Sequence, residues 1–259
     1  LRLTRRYADG AVSPYRGWMG WHHIAGLVGG IFVFTWMFSG WLSLNPGGAF
    51  SGRGMTREIA TGYSGHDAPD IVAEFRSPPS ISAVEARFVW IGGRPLMLLD
   101  DSSGRRSLAD PATGAPVALP RDEIIAAARR AMPGAAMTSV HQLDEPDAYW
   151  YTLHHQRELP VLRIGFDDPA HTWLHISPVT AEILDRSDDS RRSYRWLFNA
   201  LHSLDFPLLL RIWPARDVVV WLLSVVGTVV SISGIVIGWR RLRRKVRSCA
   251  VDARVSRLS

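Results

Sequence analysis

The chain has 259 residues, 47% of them hydrophobic, with a formal net charge of +6 and a sequence pI near 10.1. That length accommodates one or two domains, and a single cysteine, Cys249, excludes an internal disulfide. The basic excess speaks for a membrane rather than nucleic acid, because it abuts an apolar stretch, where topology and anionic headgroups account for it.

Residues 1–17 form a basic N-terminus, with Arg2, Arg5, Arg6 and Arg16 against Asp9. No Asp, Glu, Lys or Arg occurs from Gly17 to Gly52, nor from Val218 to Trp239. A hydrocarbon core ~30 Å thick takes about 20 apolar helical residues to cross. Residues 18–44 and 218–239 are therefore predicted to be transmembrane helices. Trp18–Leu44 is too long for the apolar region of a signal peptide and has no small-residue cleavage site after it. Trp18 and Trp21 at one end, and Trp36 and Trp41 toward the other, suit the two membrane–water interfaces. Asn45-Pro46-Gly47-Gly48 ends the helix, and residues 45–80, rich in Gly, Ser and Pro, read as a linker.

Residues 81–190 carry the pattern of a small α+β domain. The apolar runs Ala86–Ile91 and Leu96–Leu99, separated by Gly92-Gly93-Arg94-Pro95, predict a hairpin. Arg106–Leu119 predicts a further short strand pair. A helix is expected over Arg121–Met132, from Pro120 to Pro133-Gly134, with Ile124, Ile125, Ala128 and Met132 on its apolar face. Strands are expected at Met137–Leu143, Tyr149–His154, Leu159–Phe166 and Thr172–Ile176, with a last short one near Thr180–Leu184. Residues 191–217 read as an amphipathic helix and connector along the outer membrane surface. Tyr194, Leu197, Phe198 and Leu201 fall at i, i+3, i+4 and i+7 there.

Residues 240–259 form a basic tail that opens with Arg240, Arg241, Arg243, Arg244, Lys245 and Arg247. Residues 45–217 hold 18 Lys and Arg against 22 Asp and Glu, a net −4. Cationic flanks stay on the cytoplasmic side during insertion. Both termini are thus expected in the cytoplasm, with residues 45–217 outside. Gly26-x-x-x-Gly30 in the first span, and Gly227, Ser231, Gly234 and Gly238 in the second, predict close helix packing.

Histidines carry the candidate chemistry. His22 and His23 lie early in the first span, and an ionisable group there is costly enough to call for a role. One role is that of an interfacial residue bonded to a backbone carbonyl; the other is axial ligation of haem. His202 lies at the outer interface with Asp205 three residues on, either as a surface pair or as a ligand oriented by its carboxylate. His22 and His202 cannot share one haem, since a helix crossing the membrane separates them by roughly 30 Å. His154-His155 and His171-x-x-x-His175 lack a third ligand for a metal site and read as structural, while His66 and His141 offer nothing specific. There is no Gly-x-Gly-x-x-Gly fingerprint, no P-loop and no Gly-x-Ser-x-Gly elbow.

Several segments in order resemble the PepSY-associated transmembrane family. Arg16-Gly17-Trp18-Met19-Gly20-Trp21-His22-His23-Ile24-Ala25-Gly26-Leu27 and Phe38-Ser39-Gly40-Trp41-Leu42-Ser43-Leu44-Asn45-Pro46 resemble the start and end of a family helix. Glu158–Arg163 with Phe166-Asp167-Asp168 resembles its extracytoplasmic domain. Trp196-Leu197-Phe198-Asn199-Ala200-Leu201-His202-Ser203-Leu204-Asp205-Phe206-Pro207 and Gly238-Trp239-Arg240-Arg241 complete the likeness. The resemblance implies a PepSY-like domain between two inner-membrane spans. It also implies kinship with di-haem reductases of periplasmic ferric siderophores, in which membrane histidines hold b-type haem. It carries that role onto His22, in preference to His23, and onto His202. Fuller relatives have about four spans. The chain, beginning at Leu1, is therefore expected to be the C-terminal half of a longer member, with further haem ligands in a missing N-terminal half or a second copy. The other reading is a non-catalytic, membrane-anchored PepSY module that binds or regulates a periplasmic partner such as a peptidase.

Overall fold

The computed structural model describes residues 13–52, 54–65, 83–153 and 156–255, with side chains as far as Val246. The chain divides into a helical unit, residues 1–46 and 196–259, and an α+β unit, residues 47–195. His66 and the His154-His155 pair lie outside the described residues.

The helical unit is built on α1 (Gly17–Ser43) and α7 (Ala215–Val255). Both are long and apolar enough to cross a membrane. At 1.5 Å per residue α1 is about 40 Å long and α7 about 60 Å, and α7 runs well past Trp239, where the sequence alone ends the second span. Trp21, Phe34 and Met37 of α1, and Trp221 and Ile235 of α7, are each about two-thirds exposed or more. A water-soluble surface rarely carries so continuous an apolar face.

The helices touch at only some of the positions the glycine spacing predicts. Gly29 makes the close approach, since a Cβ there would stand 2.6 Å from Val226 Cγ1, while Gly26 and Gly30 face open space. On α7, Gly234 faces α1, whereas a Cβ added at Gly227 or Gly238 would meet nothing within 4 Å. The regular spacing marks Gly234 but not Gly29, because the angle of approach decides which small residue meets the other helix.

Between these helices the chain makes a run of short turns. The amphipathic helix expected over Arg191–Leu204 begins as α4 (Asp189–Tyr194), capped by the Asp188 carboxylate on Arg191 N–H. It then widens into a π-helix over Arg195–Ala200 and closes as α5 (Leu201–Ser203). Leu204, at φ 56, ends it in the left-handed region, and α6 (Pro207–Arg211) follows.

The α+β unit holds two antiparallel four-stranded sheets. One is β1 (Ala83–Ile91), β2 (Arg94–Asp101), β3 (Arg106–Ala109) and β4 (Pro116–Val117), in that order. The other is β5 (Met137–Leu143), β6 (Val161–Phe166), β7 (Trp173–Ile176) and β8 (Ile183–Ser187), also in chain order. Gly92 and Gly93, both at positive φ, make the β1–β2 turn. Leu96, Leu98 and Leu108 of the first sheet share one core with Leu162, Ile164, Phe166, Leu174 and Ile176 of the second.

Two helices fill that core. α3 (Arg121–Ala131) buries Ile124, Ala127, Ala128 and Ala131, with acidic residues in its first turn and basic ones in its last, as the helix dipole favours. α2 (Arg57–Ser64) lies within the stretch that reads as a linker. Thr56 caps it through its side chain, Gly65 ends it in the left-handed conformation, and Ile59 and Tyr63 are buried. Its apolar residues are too few for the sequence pattern to signal a helix. Of the strand expected over Tyr149–His154, the described residues 149–153 form a loop instead. Asp147 accepts the N–H groups of Tyr149 and Trp150, which turns the backbone away from a ladder.

Candidate functional site

α1 sets His22 against α7. Its Nδ1 lies 3.0 Å from Ser233 Oγ and 3.2 Å from the Val230 carbonyl oxygen, and Gly234 leaves room for the imidazole edge. His23, one residue on and rotated by about 100° around the helix, is held elsewhere. Its Nδ1 lies 3.1 Å from Ser13 Oγ and its ring meets the edge of Tyr15.

His202 follows the π-helix. Its ring stacks on Phe198 at 4.8 Å between centroids and 15° between planes. Its Nδ1 lies 3.1 Å from Ser39 Oγ, and Gly40 of α1 is beside it. A π-helix carries an extra residue in the turn and often sits at functional positions; here it ends at Ala200, two residues before the histidine. Arg216, at the start of α7, holds the turn that follows by donating Nε–H to the Ser203 carbonyl at 2.9 Å. Asp205 is buried, with its carboxylate 3.4 Å from that same Nε. At Nδ1 of His202 the orienting group is thus Ser39, a residue that the spacing of motifs along the chain does not single out.

His22 and Ser39 are 17 residues apart on one helix, so the two imidazoles lie about 25 Å apart along α1. In each ring Nδ1 is engaged inside the protein, and Nε2 has no hydrogen-bond partner among the described residues. An imidazole that ligates a metal through one nitrogen characteristically gives its other N–H to a carbonyl, hydroxyl or carboxylate. A ring tied in this way at Nδ1 leaves Nε2 as the nitrogen through which His22 or His202 would ligate. No three His, Cys, Asp or Glu side chains gather into a set for a bare metal ion among the described residues. Ser39 and Ser233 are both fully buried, and sequence reasoning missed them as partners of these histidines.

In the α+β unit His175 is arranged oppositely, while His171 is tied at Nδ1 to an exposed carboxylate. His171, at φ 46, precedes β7 and pairs through Nδ1 with Asp189 at 2.6 Å. His175 is inside β7, stacked on Trp150 at 4.7 Å, and its Nε2 accepts from Arg163 Nε at 2.8 Å. Arg163 also forks onto Asp147 at 2.6 and 3.0 Å and lies over Trp173. Burial, and then the Arg163 charge, push His175 down to about 3. Asp147 is partly desolvated, which opposes ionisation. The hydrogen bonds from Arg163 and from the backbone of Tyr149 and Trp150 prevail, and its carboxyl stays below the usual range. Arg157 over Trp150 and Arg192 over Trp173 extend this layer. It fastens the loop before β6 to the second sheet. His171 and His175 thus do not face a common ligand. Compared with family models, curated proteins and solved structures, the chain matches none.

Proposed function

We propose that this chain is a bacterial inner-membrane protein related to the PepSY-associated transmembrane family. In this reading it binds b-type haem through His22 and His202 and passes electrons outward to a periplasmic ferric siderophore, as part of a reductase. The observation that carries the reading is the pair of imidazoles at opposite ends of α1, each tied at Nδ1 and without a partner at Nε2 among the described residues.

Two further features support the membrane setting. The exposed surfaces of α1 and of α7 from Val218 to Trp239 are apolar. The basic residues flank them on the terminal sides, while residues 45–217 are net acidic. With the cationic flanks retained inside, His22 lies near the cytoplasmic face and His202 near the periplasmic face.

Haem, when bound, supplies a one-electron ferric–ferrous couple, and its axial ligands set the potential. The chain's own residues do the rest. Ser233 and the Val230 carbonyl hold the inner imidazole by Nδ1, and Ser39 holds the outer one. Phe198 covers one face of the outer ring and fixes its plane. Apolar residues of α1 and α7 keep water from the intervening length.

The test is the visible spectrum of the full-length protein purified from haem-replete cells. The proposal predicts a Soret band that weakens on His22→Ala and on His202→Ala and vanishes in the double variant. A colourless wild-type protein would sink it and leave the anchored, partner-binding module as the reading.

A further inference from the structure

We infer that Ser39 and Ser233 are positioning residues: each holds the imidazole proton of its histidine on Nδ1, which leaves Nε2 as the lone-pair nitrogen. The consequence for ligation rests on the proposed haem binding. The proton placement does not, and it follows from counting donors.

A serine hydroxyl carries one proton and two lone pairs. Ser233 Oγ lies 2.6 Å from the Val229 carbonyl and 3.0 Å from the Val230 carbonyl, both of its own helix. A carbonyl only accepts, so the hydroxyl proton goes there, and Ser233 meets His22 as an acceptor. The Val230 carbonyl is also 3.2 Å from His22 Nδ1, and that contact is a hydrogen bond only if Nδ1 bears the proton. Two acceptors thus face Nδ1 of His22. Ser39 Oγ lies 3.1 Å from the Trp36 carbonyl, which receives its proton. It then accepts from His202 Nδ1 at 3.1 Å. His202 has this one acceptor at Nδ1 where His22 has two.

His23 provides the contrast within the same molecule. Ser13 Oγ accepts from the Tyr15 N–H at 3.2 Å and, unlike Ser39 and Ser233, has no carbonyl to donate to among the described residues, which leaves its proton for His23 Nδ1 at 3.1 Å. That donation makes Nδ1 the lone-pair nitrogen and puts the proton of His23 on Nε2. Adjacent histidines are thereby assigned opposite tautomers, and of the two only His22 presents a ligating Nε2 from the neutral ring.

The experiment reads the tautomers directly. The full chain, with histidine labelled by nitrogen-15, is prepared haem-free in detergent micelles at a pH where the imidazoles are neutral. Long-range proton–nitrogen correlation then distinguishes protonated from lone-pair nitrogens, with peaks assigned by single His→Gln variants. The expected result is Nδ1–H at His22 and His202 and Nε2–H at His23. Ser39→Ala should turn His202 into a tautomer mixture, Ser39→Thr should restore Nδ1–H, and Ser233→Ala should leave His22 on Nδ1–H through Val230. Nε2–H at His22 or His202 in the wild type overturns the inference, and so does a His202 unchanged by Ser39→Ala. If Ser39→Ala does not fold, the wild-type tautomers and Ser39→Thr decide. A colourless protein with the expected tautomers removes the proposed haem binding and leaves this assignment standing.

Discussion

His175 of the α+β unit and the pair His22 and His202 of the helical unit hold the imidazole lone pair in opposite circumstances. In the α+β unit the lone pair of His175 is taken by Arg163 Nε–H, and the ring is buried beneath Trp150 with its protonated Nδ1 turned to no acceptor among the described residues. At His22 and His202 of the helical unit Nδ1 is the engaged end, and Nε2 has no partner among the described residues. An arginine on the imidazole lone pair makes a structural fastener, whereas a serine or carbonyl at Nδ1 leaves Nε2 open, which is the arrangement the proposed ligation needs. Residue type alone does not separate these cases; the identity of the neighbour does.

The fastener can be broken first. Arg163→Ala would strand a part-buried Asp147 and leave His175 without its donor, which by analogy with broken buried ion pairs costs roughly 3–5 kcal/mol. Denaturant unfolding followed by tryptophan fluorescence checks this, since Trp150 and Trp173 lie in the layer. An acid titration sharpens the same point. His175 binds a proton near 6.5 when unfolded and only near 3 when folded. Between those values the unfolded state holds the extra proton, so stability is present above about pH 6.5 and is lost as pH falls toward 3. The slope is about 1.4 kcal/mol per pH unit. His175→Gln should flatten that slope, and an unchanged slope would assign it to other groups.

On the helical side the glycines offer the smaller test. Gly29→Ala drives a methyl group into Val226 and should cost about 1–3 kcal/mol, by the usual penalty for overpacking. Gly26→Ala enters open space and should stay within about 0.5 kcal/mol. Thermal unfolding in detergent compares the pair, and equal effects would contradict the contact between α1 and α7 at Gly29.

Much of the architecture was legible because it rests on periodicity and punctuation. The charge-free runs located α1 and the apolar part of α7, Gly92-Gly93 located the first hairpin, and Pro120 with Pro133-Gly134 bounded α3. What escaped depends on partners distant in sequence. α2 is helical because Ile59 and Tyr63 find the core. The loop at Tyr149 replaces a strand because Asp147 captures its backbone N–H groups. The π-helix over Arg195–Ala200 has no signature in spacing, since Tyr194, Leu197, Phe198 and Leu201 fit an ordinary α-helix equally well. His22 and His202 were readable as rare polar residues in apolar surroundings. The pairing of Ser39 and Ser233 with them was not, because a serine in a membrane helix satisfies itself on its own backbone whether or not it also receives a histidine.

The separation of the two imidazoles by about 25 Å along α1 makes the central claim countable, since sites so far apart fill independently. The measurement is haem content per chain, by extraction and spectroscopic quantitation, in the wild type, His22→Ala, His202→Ala and the double variant. The account predicts that each single variant retains about half the wild-type haem and that the double variant retains none. Retention of full haem in the double variant, or complete loss in either single one, would contradict it.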